Sequence, residues 1–262
     1  MDSSLKDIDA VFLDLDGTIY LGGDLIHGAL DFLDRCDAKG VQRYFLSNNS
    51  SRSVTQYVSK LQGLGIPATT EEVLLSTHDL IAWLNESNIS RLFLVGTEGM
   101  SEMLQDAGFM MDEDEPEIVV LGYDTEISYD KISTASILLH RGVPMVASHP
   151  DMVCPSPDGG LPDTGAYMAM FEATTGVRPM HVCGKPEPGM ILHRIEALGL
   201  KPGRCAMVGD RLYTDMAMAT RAGVKGILVL SGEATEQDVV VLPEGAEQCP
   251  DLVVGSVDEL LR

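Results

Sequence analysis

The sequence predicts an α/β fold in which helical crossovers connect the strands of a parallel sheet. Short aliphatic runs alternate with helical periodicities along the 262 residues, and this alternation is typical of strands joined through helices that cover the sheet. Polar groups follow several of the runs, as expected where parallel strands end at a ligand-binding edge. The length fits either one large domain or two of ordinary size.

Eight aliphatic runs predict the strands. In chain order they are AVFLDL (10–15), RYFLS (43–47), RLFLVG (91–96), EIVVLGY (117–123), PMVAS (144–148), CAMVGD (205–210), GILVL (226–230) and DLVVG (251–255). Most are separated by segments with the period of an amphipathic helix. One such helical face carries Ala29, Leu30, Phe32, Leu33 and Cys36.

Helix starts are predicted at polar residues that can accept a hydrogen bond from the first backbone N–H groups. These residues are Ser51 or Ser53, Thr77, Ser128 and Thr214. Glycine tolerates the left-handed conformation of a helix C-cap, and it follows several helical segments. The predicted C-caps are Gly40, Gly65, Gly108, Gly142, Gly199 and Gly223.

The chain is strongly acidic, with 40 Asp and Glu residues against 18 Lys and Arg and a formal net charge of -22. Sequence-independent binding to nucleic acid or to an anionic membrane needs a surplus of Lys and Arg, so we expect neither partner. Any phosphate site in such a chain needs a local positive source, such as a metal ion.

The cysteines and the first residues predict the cellular compartment. The five cysteines are widely spaced and form no CxxC pair, which indicates reduced core residues. They are Cys36, Cys154, Cys183, Cys205 and Cys249. The segment MDSSLKDID has no apolar signal region, and no run approaches the ~20 apolar residues of a membrane span. We therefore expect a cytoplasmic protein.

Four polar groups follow predicted strands or the loops just after them. They are DLDGT (14–18), SNNSS (47–51), GKP (184–186, after MHVC) and GDR (209–211) with Asp215. Taken singly, each group also fits a turn, an exposed loop or a helix cap. Their order and placement favour one site, because ligands bind beyond the carboxyl ends of the strands in an open parallel sheet.

The residue types indicate magnesium-dependent phosphoryl transfer. Clustered carboxylates need a cation, and an acidic all-oxygen site suits Mg²⁺, with Asp14 and Asp210 as the obvious ligands. Lys185 adds positive charge, while the Ser47 hydroxyl and backbone N–H groups around Asn48 could hold phosphate oxygens. Positioning and charge neutralisation supply most of the catalysis in such reactions.

The spacing of Asp14 and Asp16 predicts different catalytic roles for the two carboxylates. Both would point the same way on an extended strand, but the chain must bend at Gly17. This bend lets Asp14 face the metal while Asp16 leans toward a leaving group. One carboxylate can then attack phosphorus while the other gives and takes the proton.

The four motifs, in the order LDLDGT, FLSNN, GKP and GDRLYTD, resemble those of the haloacid dehalogenase (HAD) superfamily of phosphohydrolases. The longer runs VFLDLDGTIYLGGDLIHGA, GKPEPGM and VGDRLYTDMAMATRAGVKGILVLSGEAT resemble the branch typified by NagD and the p-nitrophenylphosphatases. The similarity covers essentially the whole chain. It implies a HAD-type Rossmann-like core, residues 1–77 plus 181–262, and an inserted α/β cap domain, residues 78–180, that covers the active site and selects the substrate.

The resemblance implies roles for the acidic residues. Asp14 matches the nucleophile that forms an aspartyl-phosphate, and Asp16 matches the general acid and base. Mg²⁺ would be held by the Asp14 carboxylate, the Asp16 backbone carbonyl and Asp210. Asp215 would support these ligands, and Thr18 matches a threonine that supports the loop. The proton donor Asp16 indicates hydrolysis of an ester that leaves as an alkoxide.

The resemblance also implies substrate-binding positions. Ser47 and Lys185 match phosphate-binding residues, and Lys185 would also restrain Asp14. Asn48 and Asn49 lie in the same loop as Ser47. The run Ser-His-Pro-Asp (148–151) resembles a substrate-specificity loop that is commonly Asn-Pro-Asp. His149 replaces the asparagine, so it either contacts the substrate or has a structural role.

The implied function is Mg²⁺-dependent hydrolysis of small phosphate monoesters, such as sugar phosphates, nucleoside monophosphates or p-nitrophenyl phosphate. Two alternatives within enzymes are a phosphotransferase and a phosphoprotein phosphatase on the same fold. A third is a non-catalytic regulatory domain that accepts phosphate on an aspartate. The expected partner is a small phosphorylated metabolite, and homodimers through the cap occur in this branch.

Overall fold

The computed structural model describes residue 5 and residues 7–156 and 158–262. In chain order its strands are β1 (Ala10–Asp14), β2 (Tyr20–Leu21), β3 (Asp24–Leu25), β4 (Gln42–Ser47), β5 (Val73–Leu75), β6 (Arg91–Val95), β7 (Met110–Met111), β8 (Ile118–Leu121), β9 (Met145–Ala147), β10 (Val153–Cys154), β11 (Leu161–Pro162), β12 (His181–Val182), β13 (Cys205–Gly209), β14 (Lys225–Val229) and β15 (Leu252–Val254). The helices are α1 (Ala29–Lys39), α2 (Val54–Gly63), α3 (Ser76–Glu86), α4 (Glu98–Asp106), α5 (Tyr129–His140), α6 (Thr164–Thr175), α7 (Gly189–Leu198), α8 (Ala217–Ala222) and α9 (Glu236–Val240).

The predicted α/β fold class is confirmed, and each of the eight predicted strands is present. The described residues form two compact units. Unit 1 contains residues 5, 7–47, 58–74 and 185–262, and unit 2 contains residues 48–57, 75–156 and 158–184. The predicted cap boundaries, 78–180, and the function of the cap remain predictions.

Unit 1 is built on a sheet with the strand order β15-β14-β13-β1-β4-β5. β1 lies between β13 and β4 and runs parallel to both, with Leu13 opposite Val208 and Asp14 opposite Leu46. All five residues of β1 are buried, as expected for a parallel strand covered on both faces. The carboxyl ends of these three strands therefore share one edge of the sheet.

Unit 2 has its own sheet, with the strand order β12-β9-β8-β6-β7 and parallel pairing between neighbours. Leu92 and Val120 pack on one face against residues of α3 and α4. Val119 and Leu121 pack on the other face with residues of α5 and α6. Each face thus carries a hydrophobic core, which is the arrangement of a second α/β layer structure.

The helix starts are confirmed at two positions. α2 begins directly after Ser53, and Ser128 caps α5 by accepting a hydrogen bond from the Lys131 N–H. The prediction at Thr77 is off by two residues, because Leu75 is the N-cap and the His78 ring nitrogen accepts the Leu75 N–H at 2.9 Å.

The predicted helix start at Thr214 is wrong. The chain after β13 makes a π-helical turn over Leu212–Met216 before α8 begins. The Asp215 carboxylate accepts hydrogen bonds from the Arg211 N–H and from Lys185, and these bonds hold the turn in place of a cap. Such turns are frequent at functional sites.

None of the five cysteines forms a disulfide, and the core prediction holds for three of them. Cys36, Cys183 and Cys205 are buried, whereas Cys154 and Cys249 are half-buried. Cys154 belongs to the short β10–β11 hairpin, in which Val153 and Leu161 are exposed, and Cys249 belongs to the loop before β15. Among the described residues no helix is long and apolar enough to cross a membrane.

Candidate active site

β1 ends at Asp14, and the chain then folds back in a tight turn. The Leu15 C=O accepts the Tyr20 N–H at 3.1 Å, and the Gly17 N–H donates to the Tyr20 C=O at 2.7 Å. Gly17 has a φ of 88°, which glycine adopts without a side-chain clash. The turn leaves Asp14 buried and Asp16 exposed.

Lys185 joins two buried carboxylates of unit 1. Its ammonium donates to Asp14 Oδ1 and, at 2.7 Å, to Asp215 Oδ1. Burial acts to lower the pKa of Lys185, but the charges of Asp14 and Asp215 and their hydrogen bonds outweigh it and raise the pKa above its ordinary value. Lys185 is therefore a permanent cation in a buried position.

Asp210 directly follows β13 and has two unlike carboxylate oxygens. Oδ2 accepts the Glu233 N–H at 2.7 Å. Oδ1 is buried and has no hydrogen-bond partner among the described residues. A buried acceptor left unpaired costs about 1–3 kcal/mol, so a cation at Oδ1 would remove an unfavourable contribution.

Three carboxylates meet at this edge of the sheet. Asp14, Asp210 and Asp215 each offer an oxygen, and these atoms lie within 4.8 Å of one another. A group of hard oxygen donors with negative charge fits a divalent cation such as Mg²⁺. Asp14 and Asp210 would hold it, while Asp215 is bonded to Lys185 and to the Arg211 N–H.

Burial shifts the pKa values of two of these carboxyls, Asp14 and Asp210. Burial raises the pKa of Asp14 to about 7; Asp215 and Asp210 add to this shift, and Lys185 opposes it. Burial and the Asp215 charge raise the pKa of Asp210 to about 6, with the Glu233 N–H opposing. Asp14 and Asp210 would both be ionised more readily beside a cation.

Asp16 has a different environment. Partial burial raises the pKa of Asp16, while the charges of Lys60 and Arg211 lower it. The Lys60 ammonium donates to the Tyr20 hydroxyl at 2.9 Å, and Arg211 Nε lies 2.9 Å from a Glu233 carboxylate oxygen. An exposed carboxyl with a raised pKa is suited to giving and taking a proton.

Ser47 and Thr18 are the remaining predicted residues of unit 1. Ser47 is the last residue of β4, one position beyond Leu46, which pairs with Asp14. Thr18 is fully buried within the turn after β1, and its hydroxyl has no hydrogen-bond partner in the part of the chain that the structure describes. The register therefore brings Ser47 to the edge that carries Asp14.

The predicted Asn48 and Asn49 belong to unit 2. The Asn48 amide lies 3.3 Å from an Asp151 carboxylate oxygen, and its C=O accepts the Ser76 hydroxyl at 2.6 Å. Asn49 Oδ1 accepts the Ser51 N–H at 2.9 Å. Both side chains thus organise the start of this unit, and their binding of phosphate remains a prediction.

His149 is fully buried in unit 2. Its Nδ1 lies 2.9 Å from the Ser148 hydroxyl, and its Nε2 lies 2.9 Å from Asp163 Oδ1 and 3.2 Å from the Thr164 hydroxyl. Asp151 joins His149 and Asp163 in a second group of possible metal ligands, yet hydrogen bonds within the unit account for this arrangement. Substrate contact by His149 remains a prediction.

Several residues that affect Asp16 and Asp210 have no predicted role in the sequence. The charges of Lys60 and Arg211 lower the pKa of Asp16. In the loop after β14, the Glu233 N–H donates to Asp210 Oδ2. The sequence does contain a pattern that could have indicated this loop. Ser231-Gly232-Glu233 is a polar group after a parallel strand, like the four groups from which the site was predicted. Lys60 lies on α2 and carries no such signal.

Comparison with known proteins identifies the family. A family model described as haloacid dehalogenase-like hydrolase matches residues 11–110, and one described as HAD-hydrolase-like matches residues 182–260. An acid sugar phosphatase of Staphylococcus aureus is 35% identical over 239 residues, which are 90% of this chain and 91% of the relative. The chain is a haloacid dehalogenase-like hydrolase.

Two solved phosphatase structures are similar to this chain over nearly all of its length. A 4-nitrophenylphosphatase from Thermotoga maritima has a TM-score of 0.92 and 38% identity, covering 98% of this chain and 97% of that one. A glycerol phosphate phosphatase from Mycobacterium tuberculosis in complex with magnesium has a TM-score of 0.91 and 28% identity, covering 100% and 79%. The predicted branch is confirmed, and the protein is a phosphoric monoester hydrolase.

Proposed function

We propose that the protein is a Mg²⁺-dependent phosphatase that hydrolyses small phosphate monoesters through an aspartyl-phosphate at Asp14. The observation that carries the proposal is the buried cluster of Asp14, Asp210 and Asp215, which contains the Lys185 ammonium and the unpaired Asp210 Oδ1. A bound Mg²⁺ would neutralise carboxylate and phosphate charge. Asp14, Asp210 and the Asp16 carbonyl are its proposed ligands.

The residues of the chain divide the reaction into two steps. A carboxylate oxygen of Asp14 bonds to phosphorus as the bond from phosphorus to the ester oxygen breaks, and Asp16 donates a proton to the departing alkoxide. Asp16, now ionised, takes a proton from water as the water oxygen bonds to phosphorus. The bond between phosphorus and Asp14 then breaks, which releases phosphate and restores both residues.

Lys185 and Ser47 assist by binding and orientation. The Lys185 ammonium restrains the Asp14 carboxylate and supplies positive charge for an incoming phosphate in a chain whose net charge is -22. Ser47 lies at the same sheet edge, where its hydroxyl would donate to a phosphate oxygen. Phosphoryl transfer needs mainly such positioning and charge neutralisation.

The named relatives support a small substrate. Their names refer to sugar phosphates, 4-nitrophenyl phosphate and glycerol phosphate, which are all small monoesters with an alcohol or phenol leaving group. We propose substrates of this class, and sugar phosphates first among them.

The test is turnover of 4-nitrophenyl phosphate by the full chain with Mg²⁺. We expect Asp14→Asn to lower kcat by ~10³-fold or more, as is usual when a nucleophile is removed. Asp34→Asn, an exposed carboxylate on α1 in the same unit, should leave kcat unchanged. Activity of Asp14→Asn equal to that of the wild type would overturn the assignment of the nucleophile.

Substrate selection by residues 78–180 and by His149 has a separate test. We expect His149→Ala to change the ranking of phosphorylated metabolites by kcat/KM if the residue acts in the specificity loop. An unchanged ranking together with lower stability would assign His149 a structural role only, which its buried contacts with Ser148 and Asp163 would then explain.

A further inference from the structure

The loop after β14 holds two parts of the candidate metal site. We call Ser231-Gly232-Glu233 the 231–233 loop. The Glu233 N–H donates to Asp210 Oδ2 at 2.7 Å, and the Ser231 hydroxyl donates to the Gly17 C=O at 2.7 Å. The loop therefore connects the carboxylate after β13 with the turn after β1.

The Asp210 carboxylate is enclosed between two glycines. A Cβ added to Gly232 would lie 2.6 Å from Asp210 Cγ, and one added to Gly17 would lie 2.7 Å from the same atom and 3.1 Å from Gly232 Cα. The first two distances are shorter than real Cβ contacts. The absence of both side chains thus creates the slot in which the carboxylate lies.

The reason for glycine differs between these two positions. Gly17 has a positive φ of 88°, so the backbone itself favours glycine there. Gly232 is not among the described residues with positive φ, so its backbone conformation would accept alanine. What excludes a side chain at Gly232 is the space that Asp210 occupies.

The loop also makes the two oxygens of Asp210 unequal. It satisfies Oδ2 through the Glu233 N–H and leaves Oδ1 buried without a partner among the described residues. Hydrogen bonds of this kind orient metal-binding carboxylates, and their loss typically costs 10–100-fold in metal affinity.

We propose that the 231–233 loop is a positioning element for the divalent cation, which fixes Asp210 so that Oδ1 is the oxygen available for binding. Gly232 provides the space for the carboxylate, Glu233 engages Oδ2 through its backbone, and Ser231 anchors the turn at Gly17. This inference rests on the magnesium site of the proposed function.

The test measures Mg²⁺ binding by calorimetry with the full chain, independently of catalysis. We expect Gly232→Ala to raise the Kd for Mg²⁺ by about 10–100-fold and Ser231→Ala to raise it by a smaller factor. The matched control is Gly203→Ala, which adds the same methyl group in unit 1 where no atom lies within 4 Å. Its Kd should equal that of the wild type.

Thermal unfolding of the metal-free variants separates positioning from folding. A purely structural role would lower Tm and leave the Kd of the folded protein unchanged, which would overturn the proposal. If Gly232→Ala does not fold, Ser231→Ala decides, because it removes only a hydroxyl group. A wild type that binds no Mg²⁺ would refute the proposed metal site itself, whereas normal binding by both variants would refute only the role of the loop.

Discussion

At the scale of single residues, the buried charges of the site depend on the Lys185 ammonium. We expect Lys185→Met to lower the free energy of unfolding of the metal-free protein by about 3–5 kcal/mol, because it leaves the carboxylates of Asp14 and Asp215 without their cation. Chemical denaturation measures the change. Lys201→Met, at an exposed position in the same unit, should change it by less than about 0.5 kcal/mol. Equal effects of the two substitutions would contradict the interpretation.

The raised pKa values of Asp14 and Asp210 make the stability contributed by the site depend on pH. These carboxyls titrate near pH 7 and 6 in the folded protein but near ~3.9 in an unfolded chain. The folded state therefore binds more protons between pH ~4 and 7, so this contribution falls as the pH rises through that window.

Denaturant unfolding at pH 5 and pH 7.5 without metal measures this effect. We expect the wild type to lose more stability over this interval than Asp14→Asn, which lacks one of the titrating carboxyls. Added Mg²⁺ should oppose the loss, because it favours the ionised carboxylates. A larger loss of stability in Asp14→Asn than in the wild type would contradict the predicted direction of this pH dependence.

At the scale of helices and strands, Ser128 and Thr214 are both predicted helix starts, but only Ser128 caps a helix. Ser128 accepts the Lys131 N–H as the N-cap of α5, whereas the buried Thr214 hydroxyl has no hydrogen-bond partner among the described residues. We expect Ser128→Ala to cost about 1 kcal/mol and Thr214→Val to be neutral or stabilising. Thermal and denaturant unfolding measure both, and a larger loss in Thr214→Val would contradict the assignment.

The longer strands could be predicted because a buried parallel strand reads as a continuous aliphatic run. This holds for β1, β8 and β13, each buried along its whole length. Strands of two residues, such as β2 and β7, are not predicted, since so short a segment has no detectable period. The turn at Thr214 was missed because the hydrogen bonds that hold it involve Lys185, 30 residues from Asp215.

At the scale of the whole molecule, 40 acidic residues against 18 basic ones give a net charge of -22. Repulsion between these charges destabilises the folded state. Salt shortens the range of this repulsion from about 30 Å at 0.01 M to about 3 Å at 1 M. We therefore expect the Tm of the metal-free protein to rise with KCl between these concentrations. Calorimetry measures the shift, and a Tm that falls with salt would contradict the expectation.

The sequence by itself determined the α/β class, the longer strands and the four polar groups, because hydrophobic period and residue type are local properties of the chain. It also predicted that Asp14, Asp210 and Lys185 lie close together, since parallel strands end at a common edge. Only the tertiary structure decided that Lys185 also binds Asp215, that His149 is buried against Asp163, and that the Glu233 N–H donates to Asp210 Oδ2. These facts depend on contacts between residues distant along the chain, which no local pattern encodes.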